Sequence, residues 1–287
     1  MKLRQSERRK AFIKMALQGS AGSGKTYSSL LLAKGLANGN LSKVAIIDTE
    51  NGSADLYAHF GNYNVLTFSP PFTPESYIKA VEICENAGMQ VIIIDSISHE
   101  WDELLDFHSK LAGNSFANWA KVTPRQKAFV DKILQSKTHI IATMRTKQDY
   151  VLNQKDGKFI PEKVGLKAVQ KESLDYEFTL VFDVDIKHFA TSSKDRTGLF
   201  MDKPEFQISE KTGQQILDWC NSGNELVITN LSEQEVYENI QKCNSIAELL
   251  ALYKENPQHQ ETLKPDFEAR KSLLNQLSNT PNGYAKL

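Results

Sequence analysis

Residues 19–26, GSAGSGKT, constrain the fold of this chain more tightly than any other stretch of its sequence. The three glycines let the backbone turn sharply and aim several N–H groups into one concavity. The apolar run 11–17 predicts a strand before the loop, and apolar residues at helical spacing over 30–37 predict a helix after it. The dipole of that helix favours an anion in the same concavity. The stretch therefore predicts a phosphate-binding loop at a strand-to-helix turn.

The spacing G-x-x-x-x-G-K-T is the P-loop pattern, which holds the phosphates of a nucleoside triphosphate. Lys25 is expected at the β- and γ-phosphates, and the Thr26 hydroxyl is expected on Mg²⁺. We therefore predict ATP and Mg²⁺ as ligands, although the sequence leaves the choice between ATP and another triphosphate open. The loop residues predicted to contact the nucleotide are Gly19, Ser20, Ala21, Gly22, Ser23, Gly24, Lys25, Thr26 and Tyr27.

A P-loop protein also needs an acidic residue at the end of a neighbouring strand. The run VIIID at 91–95 is continuously apolar and ends in Asp95. In P-loop NTPases an aspartate at this place holds Mg²⁺, usually through water. We therefore predict Thr26 and Asp95 as the residues that bind the metal.

Short runs rich in Val and Ile alternate with helix signals along the chain. Such continuous apolar runs are typical of buried parallel strands, and here they lie at 44–49, 91–95 and 139–143. Helices are predicted between them, one beginning at Pro74 and one over 124–135. Two adjoining strands at 177–185 and 187–191 predict an antiparallel extension. The predicted fold class is α/β, a P-loop NTPase core with a mostly parallel, doubly wound sheet.

The sequence changes character near residue 221. We predict a basic N-terminal arm (1–10), an NTPase core (11–220) and a small C-terminal helical appendage (221–287). The appendage contains a capping box at Ser232–Glu235, which predicts the start of a helix. It carries no motif that indicates chemistry, so we expect it to pack or dock rather than to catalyse.

Cysteine content and apolar runs argue against a zinc-binding, disulfide-bonded, membrane-spanning or secreted protein. A net charge of −1 argues neither for nor against a polyanionic partner. Cys84, Cys220 and Cys243 are far apart, which gives neither a CxxC zinc site nor a disulfide framework and suits a reducing cytoplasm. No apolar run approaches the roughly 18 residues of a membrane span, and the basic start lacks the apolar segment of a secretory signal. We expect a cytoplasmic protein without a membrane partner, in a bacterial or phage-infected host cell.

Two carboxylates compete for the task of activating water. Glu50 ends the strand after the P-loop helix, and Glu100 follows Asp95 along the chain. An AAA+ protein would place its glutamate directly after the strand-end aspartate, where this chain has Ser96. The sequence instead resembles the RecA-type ATPase superfamily, whose catalytic glutamate ends the strand after the P-loop helix. The DTE at 48–50 matches that position, so the resemblance implies a RecA-like core with Glu50 as catalytic residue.

The same resemblance implies roles for three further residues. RecA carries a tyrosine that stacks on adenine seven residues after its catalytic glutamate, and Tyr57 stands at that spacing. RadA-like recombinases and DnaB-like helicases carry a K-x-R-x-G motif similar to Lys194-Asp-Arg196-Thr-Gly here. In those assemblies the two cations reach the γ-phosphate of the neighbouring subunit, as arginine fingers do. Lys194 and Arg196 are therefore expected to act catalytically across subunits of a homo-oligomer.

Positive charge is concentrated around one strand of the core. From residue 120 to residue 171 there are twelve Lys or Arg and four Asp or Glu, a net charge of +8. In RecA-type proteins a nucleotide sensor sits at the exit of this strand, where Thr143 and Arg145 are the candidates, and a DNA-binding loop follows. With Tyr150 and Phe159 interspersed, the composition favours single-stranded DNA. The lysines expected to contact DNA are Lys147, Lys155, Lys158, Lys163 and Lys167.

Three segments together resemble a group of small phage-encoded RecA/RadA-like recombination ATPases, the Sak-type single-strand-annealing group. The segments are TMRTKQDYV, KVGLKAVQKESLDYEF and KDRTG. The resemblance implies an ATPase that acts on single-stranded DNA in homologous recombination, annealing or repair. It also implies a ring or short filament, and a single-strand annealing or single-strand-binding protein as a partner. An ATP-gated scaffold or loader and a P-loop nucleotide kinase remain the alternatives.

Overall fold

The computed structural model describes residues 5–155, 158–171, 174–223 and 232–278, with only the backbone described over the parts of 148–166 that it includes. The chain divides into two compact units, Met1–Glu225 and Leu226–Leu287. Within the described ranges, no helix combines the length and the apolar character that crossing a membrane requires.

The N-terminal unit alternates strands and helices. Its strands are β1 (Lys14–Gly19), β2 (Val44–Asp48), β3 (Asn64–Thr67), β4 (Val91–Asp95), β5 (His139–Lys155), β6 (Lys158–Ala168), β7 (Leu180–Val184), β8 (Phe189–Asp195) and β9 (Phe206–Gln207). Its helices are α1 (Lys25–Leu36), α2 (Pro74–Asn86), α3 (Ser98–Ser109), α4 (Ser115–Gln135) and α5 (Glu210–Asn221). This alternation is what the sequence pattern predicts.

The strands form one sheet in the order β3-β2-β4-β5-β1-β7-β8-β9. Every pairing from β3 to β7 along this order is parallel. β8 and β9 continue the sheet antiparallel, and β6 pairs antiparallel with β5 alone. The predicted α/β fold, with a mostly parallel sheet and an antiparallel extension, is confirmed.

The central strands are buried on both faces. Along β4, Ile93 packs into one apolar cluster with α1 and α5, while Ile92 and Ile94 pack into a second cluster with α2 and α4. Successive side chains of a strand point to opposite faces, so a strand between two helical layers must be apolar throughout. The continuous run of aliphatic residues in the sequence reflects this double burial.

The strand predicted at 139–143 is longer than expected. β5 continues to Lys155 and pairs with β6 over ten register positions, from Thr146↔Ala168 to Lys155↔Lys158. The expectation of a loop after the sensor strand was therefore wrong, because the segment is an antiparallel β-hairpin. An Asp-Gly dipeptide stands at 156–157 in the sequence, and this dipeptide favours two-residue hairpin turns.

Helix α4 also differs from the sequence-based expectation. Its N-cap is Asn114, whose side chain accepts a hydrogen bond from the Ala117 N–H, so that Pro124 lies inside the helix. Proline is common in the first turn of a helix but also occurs inside helices. The prediction based on Pro124 therefore placed the start of the helix too late.

The C-terminal unit contains α6 (Glu233–Lys242), α7 (Ile246–Glu255) and α8 (Lys264–Ser278). The predicted capping box is confirmed: Ser232 Oγ accepts from the Glu235 N–H, and Glu235 Oε2 accepts from the Ser232 N–H. The three helices share a small apolar core that includes Val236, Ile240 and Phe267.

Helices α1 and α5 approach each other through two glycines. A Cβ added to Gly213 would lie 2.2 Å from the Leu32 carbonyl oxygen, and one added to Gly35 would lie 2.2 Å from the Glu210 carbonyl oxygen. Because both obstacles are backbone atoms, neither can move aside without shifting a helix. This contact fixes the distance between the P-loop helix and α5.

We predict that Gly213→Ala lowers the free energy of unfolding by about 1–3 kcal/mol, because the added methyl group overpacks the helix contact. Urea unfolding followed by circular dichroism measures the change. Gln215→Ala, at an exposed position on the same helix, is the control and should stay within about 0.5 kcal/mol of wild type. An equal effect of the two substitutions would contradict the close contact.

Candidate active site

The predicted P-loop lies where β1 ends and α1 begins. Gly24 is the N-cap of α1 and has φ of +87°, a left-handed conformation that favours glycine. A Cβ on Gly19 would lie 2.4 Å from the Val184 carbonyl oxygen, so the backbone of β7 leaves no room for a side chain there. The loop therefore turns directly into the helix, whose first N–H groups have no side-chain cap. Such a helix start binds phosphate well.

Lys25 lies across the loop that it follows. Its Nζ donates to the Gly19 carbonyl at 3.0 Å and to the Ser20 carbonyl at 2.8 Å. Burial lowers the pKa of Lys25, although Asp95 and Glu50 nearby favour its charged form. The ammonium group is thus held at the mouth of the loop by two carbonyl acceptors, which a phosphate could replace.

Asp95 lies at the end of β4, almost entirely buried, with the Thr26 and Thr143 hydroxyls as donors. The Thr26 hydroxyl donates to Asp95 Oδ2 at 2.6 Å, and the Thr143 hydroxyl donates to Asp95 Oδ1. Burial raises the pKa of Asp95, while the two hydroxyl donors counteract the rise. A hydroxyl and a carboxylate beside a phosphate loop are the oxygen donors that Mg²⁺ prefers, so these residues fit the predicted metal. Of the two sensor candidates, Thr143 thus contacts the aspartate that is predicted to bind the metal.

The other sensor candidate, Arg145, contacts Glu50. Arg145 Nε donates to Glu50 Oε1 at 3.0 Å and Nη2 donates to Oε2, a bidentate ion pair. Ser96 Oγ also donates to Glu50 Oε1, at 3.1 Å. Burial favours a higher pKa for Glu50, but Arg145, with smaller contributions from His99 and Ser96, brings the pKa below its ordinary value. Glu50 is therefore ionised at neutral pH.

These groups surround one cavity of about 470 Å³. Its lining residues are Ala21, Gly22, Gly24, Lys25, Thr26, Glu50, Ser53, Tyr57, Asp95, Arg145 and Thr146. The cavity forms because parallel strands end at the same edge of the sheet, where α/β folds bind their ligands. Its volume falls in the range of cofactor sites.

Glu100, the competing carboxylate, lies elsewhere. It is fully buried on α3 and is absent from the described lining of the cavity. Its Oε2 accepts from Gln170 Nε2 at 3.5 Å, and Oε1 has no hydrogen-bond partner within the described part of the chain. Burial raises the pKa of Glu100 to about 8. Position and protonation both favour Glu50 as the residue that activates water.

Tyr57 lies between the phosphate cavity and a second cavity of about 480 Å³. This second cavity is lined by Gly22, Gly24, Tyr27, Ser28, Tyr57, His188, Gln207 and Ile208. The rings of Tyr27 and Tyr57 have centroids 6.2 Å apart. The cavity adjoins the P-loop and presents an aromatic wall, so it could hold the base of a nucleotide.

Sequence reasoning missed the residues that reach this site from β7 to β9. His188, in the turn between β7 and β8, places Nδ1 3.0 Å from the Ser23 carbonyl oxygen. Gln207 and Ile208 also line the second cavity. No local pattern marks these residues, because tertiary packing alone brings them to the P-loop.

Lys194 lies in β8 and Arg196 just after it, and the two cations share one backbone acceptor. Lys194 Nζ donates to the Asp175 carbonyl at 2.8 Å and also to the Tyr176 carbonyl, and Arg196 Nη2 donates to that same Tyr176 carbonyl at 3.0 Å. Neither residue is among those described as lining the P-loop cavity of its own chain.

The candidate DNA-binding lysines lie on the β5–β6 hairpin. Lys147 is exposed and pairs in register with Lys167 on the opposite strand. The side chains of Lys155, Lys158 and Lys163 lie outside the described residues, as do those of Tyr150 and Phe159. The expected DNA contact stays a prediction for these residues and for Lys147 and Lys167 alike.

We predict that the stability of Glu100→Gln falls less than that of wild type as the pH rises from about 4.5 to about 8. The folded-state pKa of Glu100 lies above its ordinary value of 4.5, so wild type loses stability as the pH rises from about 4.5 to about 8. The glutamine cannot ionise, and at pH 8 the variant should exceed wild type by roughly 1–3 kcal/mol in free energy of unfolding.

Urea unfolding at pH 5 and pH 8 tests this expectation. Asp106→Asn, an exposed carboxylate on the same helix, is the matched control. If wild type and Glu100→Gln lost equal stability between the two pH values, Glu100 would not be a neutral buried carboxyl.

Comparison with known proteins shows which family the chain belongs to. A search of curated proteins gives no match. A KaiC-like protein from the hyperthermophilic archaeon Pyrococcus horikoshii OT3 is structurally similar, with 15% sequence identity and a TM-score of 0.42 over 69% of this chain and 87% of that chain. The family model AAA_24, described as an AAA domain, matches residues 11–223. The chain therefore belongs to the AAA_24 family and carries an AAA-type P-loop ATPase domain.

Proposed function

We propose that this chain hydrolyses ATP with Mg²⁺ and that single-stranded DNA bound to the β5–β6 hairpin controls the reaction, in recombination, annealing or repair. The observation that supports it is the position of Arg145. This residue lines the phosphate cavity, contacts Glu50 and lies two residues before Lys147 on the same strand. Arg145 thus links the basic hairpin directly to the catalytic carboxylate.

Each group of the cavity has a defined task in the proposed reaction. The N–H groups of the loop and Lys25 bind the phosphates. Thr26 and Asp95 would hold Mg²⁺, which neutralises developing charge on the β- and γ-phosphates when bound. Glu50, ionised at neutral pH, orients the attacking water and accepts its proton. Tyr57 stacks on the base.

The register of the hairpin supports a polyanionic ligand. Lys147 stands opposite Lys167, and Lys155 stands opposite Lys158. A strand pair that places lysines at matching positions offers a row of cations to a phosphate backbone. Single-stranded DNA also offers bases for the aromatic residues of the same hairpin.

We expect ATP turnover by purified protein to rise several-fold when single-stranded DNA is added. The stimulation should fade between about 50 mM and 200 mM salt, because phosphate contacts release counterions. Lys25→Ala should lower turnover by roughly 10²-fold or more with DNA present, since it removes a charge at the transferred phosphate.

Steady-state phosphate release at both salt concentrations provides the measurement, with circular dichroism as a check that Lys25→Ala folds. Flat turnover despite tight ATP binding would contradict the DNA-controlled ATPase and favour an ATP-gated scaffold. Phosphate transfer to an added nucleotide would instead indicate a kinase.

The position of Lys194 and Arg196 supports an active site completed across subunits. Both lie outside the described lining of their own P-loop cavity, and Arg196 is exposed. An arginine finger acting in this way can be worth about 10³–10⁵ in rate. The homo-oligomer is therefore part of the proposal.

Arg196→Ala and Glu50→Gln should each be nearly inactive alone, but their mixture should regain activity. When the two variants assort randomly, roughly a quarter of the sites at a head-to-tail interface combine an intact glutamate with an intact arginine. Turnover of the mixture, with assembly followed by light scattering, is the measurement. A mixture that assembles yet stays inactive would argue against action across subunits.

A further inference from the structure

We propose that Arg145 holds Glu50 in an inactive pairing and that a polyanion on the β5–β6 hairpin releases it. The inference deepens the proposed function, because it concerns how the same site is controlled. It rests on that function only for the identity of the hairpin ligand. The pairing of Arg145 with Glu50 is seen in the structure whatever that ligand is.

Both oxygens of Glu50 accept hydrogen bonds in the structure, three in total. Arg145 Nε and Ser96 Oγ donate to Oε1, at 3.0 Å and 3.1 Å, and Arg145 Nη2 donates to Oε2. A general base needs an oxygen within hydrogen-bond reach of the attacking water. A carboxylate that a guanidinium engages through both oxygens is also less basic. The pairing therefore lowers the reactivity of Glu50 in two ways.

Arg145 stands at the root of the hairpin. The Val169 N–H donates to the Arg145 carbonyl at 2.7 Å, and the next pair along the hairpin is Thr146↔Ala168. A change in the twist or tilt of the two strands would therefore move the Arg145 backbone, and its side chain with it. Because Arg145 is part of β5, a ligand on the hairpin can act on the pairing without a further helix or strand between them.

The hairpin root is also tied to the segment that follows Asp95. The Arg145 N–H donates to Ser98 Oγ at 2.9 Å, and Gln170 Nε2 donates to the Ile97 carbonyl at 3.0 Å. These bonds attach β5 and the segment that follows β6 to the N-terminal end of α3. They keep the pairing in place while the hairpin carries no ligand.

The pairing is weak enough to be released. The Arg145 side chain is 45% exposed and that of Glu50 is 25% exposed, so solvent screens their attraction. Phosphate is itself a preferred bidentate partner of a guanidinium, so a polyanion on the hairpin competes directly with Glu50. A partly exposed pair of this kind shifts a two-state equilibrium by a factor of about two to five.

The test compares Arg145→Ala with Arg125→Ala. Arg125 makes a bidentate pair with Glu75, at 2.8 Å for each bond, away from the described lining of the phosphate cavity. Without DNA, ATP turnover of Arg145→Ala should exceed that of wild type by about two- to fivefold, whereas Arg125→Ala should match wild type. Added single-stranded DNA should no longer stimulate Arg145→Ala. Basal turnover of Arg145→Ala at or below the wild-type level would overturn the proposal.

A pH profile shows whether the effect passes through Glu50. Arg145→Ala removes the main group that lowers the pKa of Glu50, whereas burial, which raises it, and the lowering by His99 and Ser96 remain. The acid limb of the rate profile should therefore move to higher pH in Arg145→Ala and stay in place in Arg125→Ala. A faster Arg145→Ala enzyme with an unchanged acid limb would overturn the proposal, because the gain would not come from Glu50.

The outcomes separate this inference from the proposed function. If DNA fails to stimulate wild type but Arg145→Ala is faster and its acid limb shifts, the inhibitory pairing stands and the choice of DNA as ligand fails. If DNA stimulates both wild type and Arg145→Ala to the same extent, the DNA-controlled ATPase stands and the pairing is not the control.

Discussion

The site depends on one buried carboxylate. Asp95 lies at the end of β4, and a charge at this depth is costly unless hydrogen bonds satisfy it. Thr26 from α1 and Thr143 from β5 supply those bonds to its side chain, and the Thr49 N–H after β2 donates to its backbone carbonyl at 2.8 Å. The end of β4, the residue after β2, a position within β5 and the start of the P-loop helix are thereby joined around a single acid. The arrangement of the groups around the phosphate cavity follows from that junction.

Two glutamates of the same unit show how surroundings decide function. Glu50 and Glu100 are both at least half-buried, and burial favours a higher pKa for each of them. At Glu50 the charge and hydrogen bonds of Arg145 are the main influences that lower the pKa. At Glu100 the hydrogen bond from the neutral amide of Gln170 lowers the pKa less than burial raises it. One carboxyl is therefore an ionised group facing a cavity, and the other is a neutral group inside the core. Residue type alone did not distinguish them.

Local patterns in the sequence predicted the P-loop, β2, β4 and Asp95, because each is set by a short run of residues with one strong physical requirement. Glu50 was placed through a resemblance, and the structure brings it to the same cavity. The hairpin was missed, since its sequence mixes polar and apolar residues and lacks the continuous apolar run that marks β4. The pairing of Arg145 with Glu50 joins residues 95 positions apart, and no local pattern encodes such a contact.

Strand β8 has a role beyond extending the sheet. The turn before it carries His188, which touches the P-loop backbone at Ser23, and its far end carries Lys194. Seven residues of extended chain span roughly 20 Å. In the proposed oligomer, one short rigid strand would therefore join the nucleotide loop of a subunit to the cations that the subunit offers its neighbour. Such a link would let the nucleotide loop of one subunit influence the position of the cations at the neighbouring site.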